Sequence, residues 1–336
     1  MKRFLLILFV VMLFAALPGF AQNQFKMVDR VKLGGEGGWD YLTYDADGHR
    51  LFITRGSHVM VVDASTLKAT GDIPNLSGIH GVALAQDLGR GFVSNGGDNT
   101  VTIFDLKTLN KLQSVAVGER PDAILFDPFT KRVFTFNARS QDTTAVDAAT
   151  GKVAGTVALG GKPEFPVSDG KGKVYANIED KSEIVELDPE KLTVTNRWSV
   201  APCEEPSALA FDAEHHRLFA GCGNKMMAVV DSTSGKVVTT VPIGQGVDAG
   251  RFNPKTQQAF MSCGEGVLTV IHEDSPDKYT VVQNVPTVRG ARTMALDRES
   301  NTAYLVTAQR SDTPPPPGQR PTMVPGSFEL LVVKPQ

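Results

Sequence analysis

Three features of this 336-residue sequence predict an all-β fold, a seven-bladed β-propeller with four-stranded antiparallel blades. One pattern of short apolar strands, separated by turns, recurs along the chain. The residue ending the first strand of each unit is Asp45, Ala85, Asp127, Asp169, Asp212, Asn253 or Asp297, at spacings of 40, 42, 42, 43, 41 and 44. The residue ending the third strand, Asp63, Asp105, Asp147, Asp188, Asp231 or His272, repeats independently at 42, 42, 41, 43 and 41. Units of about 40–45 residues with four strands each are the signature of a propeller.

The N-terminal residues stand apart from the repeats. Lys2 and Arg3 precede an apolar run from Phe4 to Leu17, and the small residues Gly19 and Ala21 flank a cleavage point after Ala21. Residues 1–21 therefore read as a secretory signal peptide. The run is shorter than the about 20 apolar residues of a membrane span. The expectation is a periplasmic or secreted, soluble monomer, with residues 22–336 as a single propeller domain. Those 315 residues give 45 to each of seven units. The net charge is −3 with Lys and Arg scattered, and no basic stripe points to nucleic acid. Three cysteines are too few for a disulfide framework.

In the second unit the strands fall near 81–85, 90–95, 100–105 and 111–117. Stretches such as AILF and VFTFN are apolar on both faces, as suits a sheet packed between two neighbours. Turns are marked by Asp45-Ala46-Asp47-Gly48, Asn95-Gly96-Gly97-Asp98, Thr150-Gly151 and Ser234-Gly235. The last unit supplies strands near 293–297, 302–307 and 327–333 and then lacks a fourth. Residues 26–33, KMVDRVKL, have the character of the missing outer strand, so an N-terminal strand is expected to complete the C-terminal blade and close the ring. Within that blade, residues 308–326 form a Pro-rich loop whose four consecutive prolines favour a polyproline II run. The loop is expected on the face where each inner strand begins, here called the top, either as a solvated loop or as a lid.

The run VTIFDLKTLNKLQSVAVGERPDAILFDPFTKRVFTFN, residues 101–137, resembles the YVTN-repeat, YncE-like seven-bladed propellers. The name-giving tetrapeptide corresponds to FVSN (92–95), FTFN (134–137) and YAN (175–177). It is degraded to FITR (52–55), FAGC (219–222), FMSC (260–263) and YLVT (304–307). The resemblance covers nearly all of residues 22–336. It implies the propeller fold and an exported binding or scaffold module, and it transfers no site residues.

Five residues before each first-strand landmark stand Asp40, His80, Asp122, Glu164, Ser207, Asp248 and Arg292, at the expected entrance of the central channel. The preceding position is apolar in every unit, from Trp39 to Ala291. Glu205 and Glu204 lie beside this ring. Two like charges about 8 Å apart repel by roughly 2 kcal/mol at an effective dielectric of ~20. Relief must come from Arg292, Arg120 or Arg251, from carboxyl groups held protonated, or from a bound cation. Carboxylates with one His suit a hard or borderline divalent cation, with Asp40, Asp122, Glu164 and Asp248 as candidate ligands.

His80, between Gly78 and Gly81, is either a hydrogen-bonded structural histidine or a ligand contact and general base. His215 and His216 fall in a turn on the opposite face and are expected to be solvated. Cys203 and Cys222 form a candidate disulfide that leaves Cys263 free. The alternatives are three free thiols, or a soft-metal site with Met226, Met227 or Met261. No Ser–His–Asp, Cys–His or phosphate-loop arrangement stands in the sequence. The functional expectation is a binding or scaffold protein taking a small-molecule, cation or protein ligand on the top face at Asp40, His80, Asp122, Glu164, Glu205, Asp248 and Arg292. The alternative is a metal-assisted lyase-like or oxidoreductase-like enzyme using His80.

Overall fold

The computed structural model describes residues 24–311 and 323–336. The expected signal peptide and most of the Pro-rich loop lie outside them. Within them, the strands form seven separate four-stranded antiparallel sheets, six of them from consecutive strands. The second blade runs Ile79–Ala85, Arg90–Asn95, Thr100–Asp105 and Lys111–Ala116, close to the expected bounds. Middle strands are buried on both faces; in Arg132–Asn137 only the first residue is partly exposed. Outer strands such as Lys111–Ala116 expose most side chains and bury one, Val115. This gradient explains the weak apolar alternation of the inner strands. Seven apolar clusters form the core, one in each gap between adjacent blades.

The Asp ending each third strand folds the turn after it. Asp63 accepts from the backbone N–H of Ser65 and Thr66 and from the Thr66 hydroxyl. Asp105 with Thr108, Asp147 with Thr150 and Asp231 with Ser234 repeat the device. Four residues after each Asp the chain turns left-handed, at Leu67, Leu109, Gly151, Leu192 and Gly235. The recurring D-x-x-T is therefore an Asx turn that reverses the chain into the outer strand.

The ring closes as expected. Phe25–Lys32 pairs antiparallel with Glu329–Pro335, and the seventh sheet is ordered from this N-terminal strand inward to Met294–Asp297. Phe25 is buried edge-on against Phe260, with ring centroids 5.4 Å apart. The Gln283 side chain clamps its backbone, accepting from its N–H at 2.8 Å and donating to its carbonyl at 2.9 Å. Arg30 donates two bonds to the buried Glu329, at 2.6 and 2.7 Å.

Cys203 and Cys222 are joined in a disulfide with Cα atoms 5.8 Å apart. The bond ties the loop entering the fifth blade to that blade's second strand. Cys263 is a buried free thiol, its pKa pushed up to about 12 by burial. With two thiols joined, no thiol cluster is left among the described residues for a soft metal. No helix among them is long and apolar enough to cross a membrane.

Candidate functional site

The seven inner strands begin around one opening, and their first residues share one cavity of about 960 Å³. Asp40, His80, Asp122, Glu164, Ser207, Asp248 and Arg292 all line it. Two residues earlier the backbone is left-handed at Gly78, Arg120, Glu205, Gly246 and Gly290, which turns the chain onto the rim. At Gly78 a side chain would not fit, because a Cβ would stand 3.0 Å from the Gly97 nitrogen.

The rim residues are held from behind by the second strand of the preceding blade. Thr54, Ser94 and Ser262 donate hydroxyls to the carbonyls of His80 (3.0 Å), Asp122 (2.6 Å) and Arg292 (2.5 Å). Each hydroxyl is the third residue of a degenerate tetrapeptide, in FITR, FVSN and FMSC. In these three blades the tetrapeptide thus ties one blade to the rim register of the next.

Three charged groupings line the mouth. His80 Nδ1 lies 2.7 Å from Asp40 Oδ2 and 3.4 Å from Asp122 Oδ1. Arg292 Nε lies 2.5 Å from Asp248 Oδ2, and its Nη2 lies 3.7 Å from Asp40 Oδ1. Lys162 Nζ lies 2.7 Å from Glu164 Oε1 and also contacts Glu179. Lys162, which stands two positions before the register as Arg120 does, was not anticipated as a counter-ion. Arg120 lines the mouth as expected. Arg251 does not; it sits farther down the channel, over the Phe165 ring at 4.7 Å. Glu205 is also outside the mouth. It is exposed, and its N–H donates to the Ser182 hydroxyl of the preceding blade at 3.2 Å. Its side chain lies over Gly223 instead.

Burial and mutual repulsion dominate the electrostatics. Burial raises the Glu164 pKa to about 8, aided by Asp122 and opposed by Lys162. Burial raises Asp248 to about 6 against the pull of Arg292. Asp122 also moves up through burial, partly offset by His80. Burial works to lower the His80 pKa, but the Asp40 hydrogen bond and the fields of Asp122 and Asp40 outweigh it, so the net shift is upward. Tyr41, buried beneath the ring, is raised by burial and then by Asp248, Glu164, Asp122 and Asp40. Arg55, also buried at the rim, donates to the carbonyls of Gly34 and Glu36 and stacks 3.6 Å from the Phe328 centroid, fixing the glycine-rich segment before Trp39. Ala308, Arg310, Met323 and Val324, the described ends of the Pro-rich loop, line the same cavity.

Glu164 gives a sign test. Its folded pKa lies above the ordinary value of 4.5, so its favourable contribution is full below pH 4.5 and fades as pH rises towards 8. Between pH 5 and pH 8 the stability of Glu164→Gln should therefore improve relative to wild type, by roughly 1–3 kcal/mol. Urea unfolding of both proteins at the two pH values measures this; a constant difference would exclude a raised Glu164.

Two places among the described residues gather metal-type ligands. Asp40, His80 and Asp122 present ligand atoms within 4.8 Å of one another at the mouth. Asp212, His215 and Glu273 do the same on the opposite face. His215 is thus not simply solvated; its Nδ1 lies 2.8 Å from the buried Asp212 carboxylate. His216 is exposed as expected.

No protein-family model and no curated protein matches the chain. Solved structures do match it. A chain in the crystal structure of a mitotic checkpoint complex superposes with TM-score 0.76 at 13% identity, covering 99% of both chains. The RRP9 WD40 repeats give 0.78 at 8% identity over 94% of this chain and all of that one. Kuenenia stuttgartiensis hydrazine synthase gives 0.69 at 17% over 80% and 92%. This chain is a seven-bladed propeller. At these identities the likeness is one of fold.

Proposed function

We propose that this propeller is an exported binding protein of the YVTN-repeat kind that takes a small cationic ligand, in the simplest case a divalent cation, at its top-face mouth. One observation carries the reading: Asp40, His80 and Asp122, from three different blades, converge to within 4.8 Å in a cavity that four ring carboxylates share. Arg292 and Lys162 offset Asp248 and Glu164, and Arg292 also reaches Asp40 at 3.7 Å, but only the titratable His80 imidazole stands between the Asp40 and Asp122 carboxylates. A hard or borderline cation there replaces the His80 proton and accepts oxygen from both carboxylates. Export is supported by the leader-like sequence of residues 1–21 and by the Cys203–Cys222 bond, a kind that persists in oxidising compartments. YVTN kinship rests on FVSN and FTFN. The checkpoint-complex match makes a protein ligand on the same face the natural extension of a binding role.

Calorimetric titration with Ca²⁺, Mg²⁺ and Mn²⁺ tests the reading. One of them should bind with Kd of order 10⁻⁵–10⁻³ M. Binding should tighten from pH 6 to pH 8 as His80 gives up its proton, and Asp122→Ala should weaken it at least about tenfold. No heat with any of the three ions ends the cation reading. Catalysis with His80 as base is the weaker alternative, because a histidine held between two carboxylates is favoured in its protonated, proton-donating form.

A further inference from the structure

Below Tyr41 lies a second chamber of about 600 Å³, towards the bottom face. Its wall comes from the inner strands and mixes polar groups with apolar side chains, including Leu125, Phe126, Phe165, Phe211 and Phe252. Two guanidiniums interrupt it, Arg251 and Arg298, from the adjacent sixth and seventh blades.

Both stand where the repeat otherwise carries no charge. Two residues before the first-strand landmark, the other blades have Thr43, Ala83, Leu125, Val167, Ala210 and Ala295. One residue after it they have Ala46, Gln86, Pro128, Gly170, Ala213 and Pro254. Each register thus admits one cation, and the two cations fall in neighbouring blades.

Neither guanidinium is neutralised by a described residue. Arg251 Nη1 donates to its neighbour's carbonyl, that of Gly250, at 2.7 Å, and its face rests on Phe165. Burial, and secondarily the Arg298 charge, lower its pKa to about 10 against a weaker opposing pull from Tyr41. Arg298, exposed at the chamber's bottom end, is lowered as well by its partial burial, and no carboxylate offsets either shift. Asp47, a carboxylate at the chamber's rim, is exposed to solvent. By contrast Arg30, Arg217 and Arg292 are each paired with carboxylates. Both side chains retain unused donors facing a space that solvent reaches. Two like charges beside aromatic walls are costly unless an anion joins them, and a guanidinium fork matches a carboxylate bidentately.

We infer that the bottom chamber is a binding site for a small organic carboxylate with an apolar body, its charge held between Arg251 and Arg298 and its body against Phe165 and Phe252. The site is separate from the top-face mouth and independent of any cation there.

The test uses the whole protein in low-chloride buffer with three probes: phenylacetate, its neutral isostere phenylacetamide, and inorganic phosphate. Phenylacetate should bind, with phenylacetamide at least about tenfold weaker. Arg298→Gln, at the exposed end of the chamber, should weaken phenylacetate by about tenfold, and Arg251→Gln by as much or more. Arg298→Gln keeps the test decisive if the more buried variant fails to fold. Absence of phenylacetate binding at millimolar concentration, equal binding of the amide, or unchanged affinity in Arg298→Gln would each overturn the site. Binding of phosphate but not phenylacetate would overturn its organic ligand class.

Discussion

Deleting residues 22–33 should lower the melting temperature by about 10 °C or more. The deletion removes a whole strand, not a tail. It takes out the buried Phe25, the Arg30–Glu329 double hydrogen bond and the ladder from Phe25–Pro335 to Lys32–Glu329. It also bares the backbone of Glu329–Pro335, converting a closed ring into one with an open sheet edge. Aggregation on heating should accompany the loss. A calorimetric scan against wild type decides it; an unchanged melting curve would mean that the joint contributes nothing. Phe25→Ala is the milder companion, expected to cost about 3 kcal/mol by emptying the contact with Phe260.

Arg292→Met should destabilise the protein by about 2–3 kcal/mol at pH 8 and by clearly less at pH 5. Arg292 bridges two ring carboxylates, Asp248 at 2.5 Å and Asp40 at 3.7 Å. Methionine keeps most of the side-chain volume and removes the charge. At pH 8 the substitution leaves Asp248 ionised and buried beside Asp40. Asp248 already has a folded pKa of about 6, above its ordinary 3.8. Its favourable contribution is therefore full below pH 3.8 and fades as pH rises through 6. Losing Arg292 moves that pKa higher still, so at pH 5 the carboxyl stays protonated and the penalty shrinks. Adding Asp248→Asn should recover most of the loss at pH 8. Urea unfolding at both pH values checks the outcome, and a penalty independent of pH would show that Arg292 acts through packing alone.

The fold was legible because a propeller writes its architecture as a period. Five blades repeat the same Asx turn and all repeat the buried middle strands, so landmark residues return at nearly constant spacing. The mouth was legible for the same reason: a register five residues before each landmark starts every inner strand, and all seven of its residues reach one cavity. What failed was inference from closeness in sequence. Arg251 is three residues from Asp248, but a strand rises about 3.3 Å per residue, which carries Arg251 roughly 10 Å down the channel. Glu205 is two residues from Ser207, as Arg120 is from Asp122, yet its side chain lies over Gly223 and off the rim. Lys162 and His215 each pair with a carboxylate two or three residues away, Glu164 and Asp212, but their second partners, Glu179 and Glu273, come from farther along the chain through the fold. The unpaired arginines did leave a readable trace, as the single charged residues of two otherwise neutral registers.

The joint between Phe25–Lys32 and Glu329–Pro335 also governs the order of assembly. Arg30 and Glu329 are 299 residues apart, so this ladder has one of the longest sequence separations in the fold and demands the largest loop closure. Six blades are each made of consecutive strands and condense locally, whereas the seventh must wait for its outermost member to return from the far end of the chain. Until then the annulus is a curved stack with a gap, and Phe25–Lys32 is a roaming extended segment able to pair with the same edge on another molecule. High dilution during refolding should favour closure within one molecule over exchange between two.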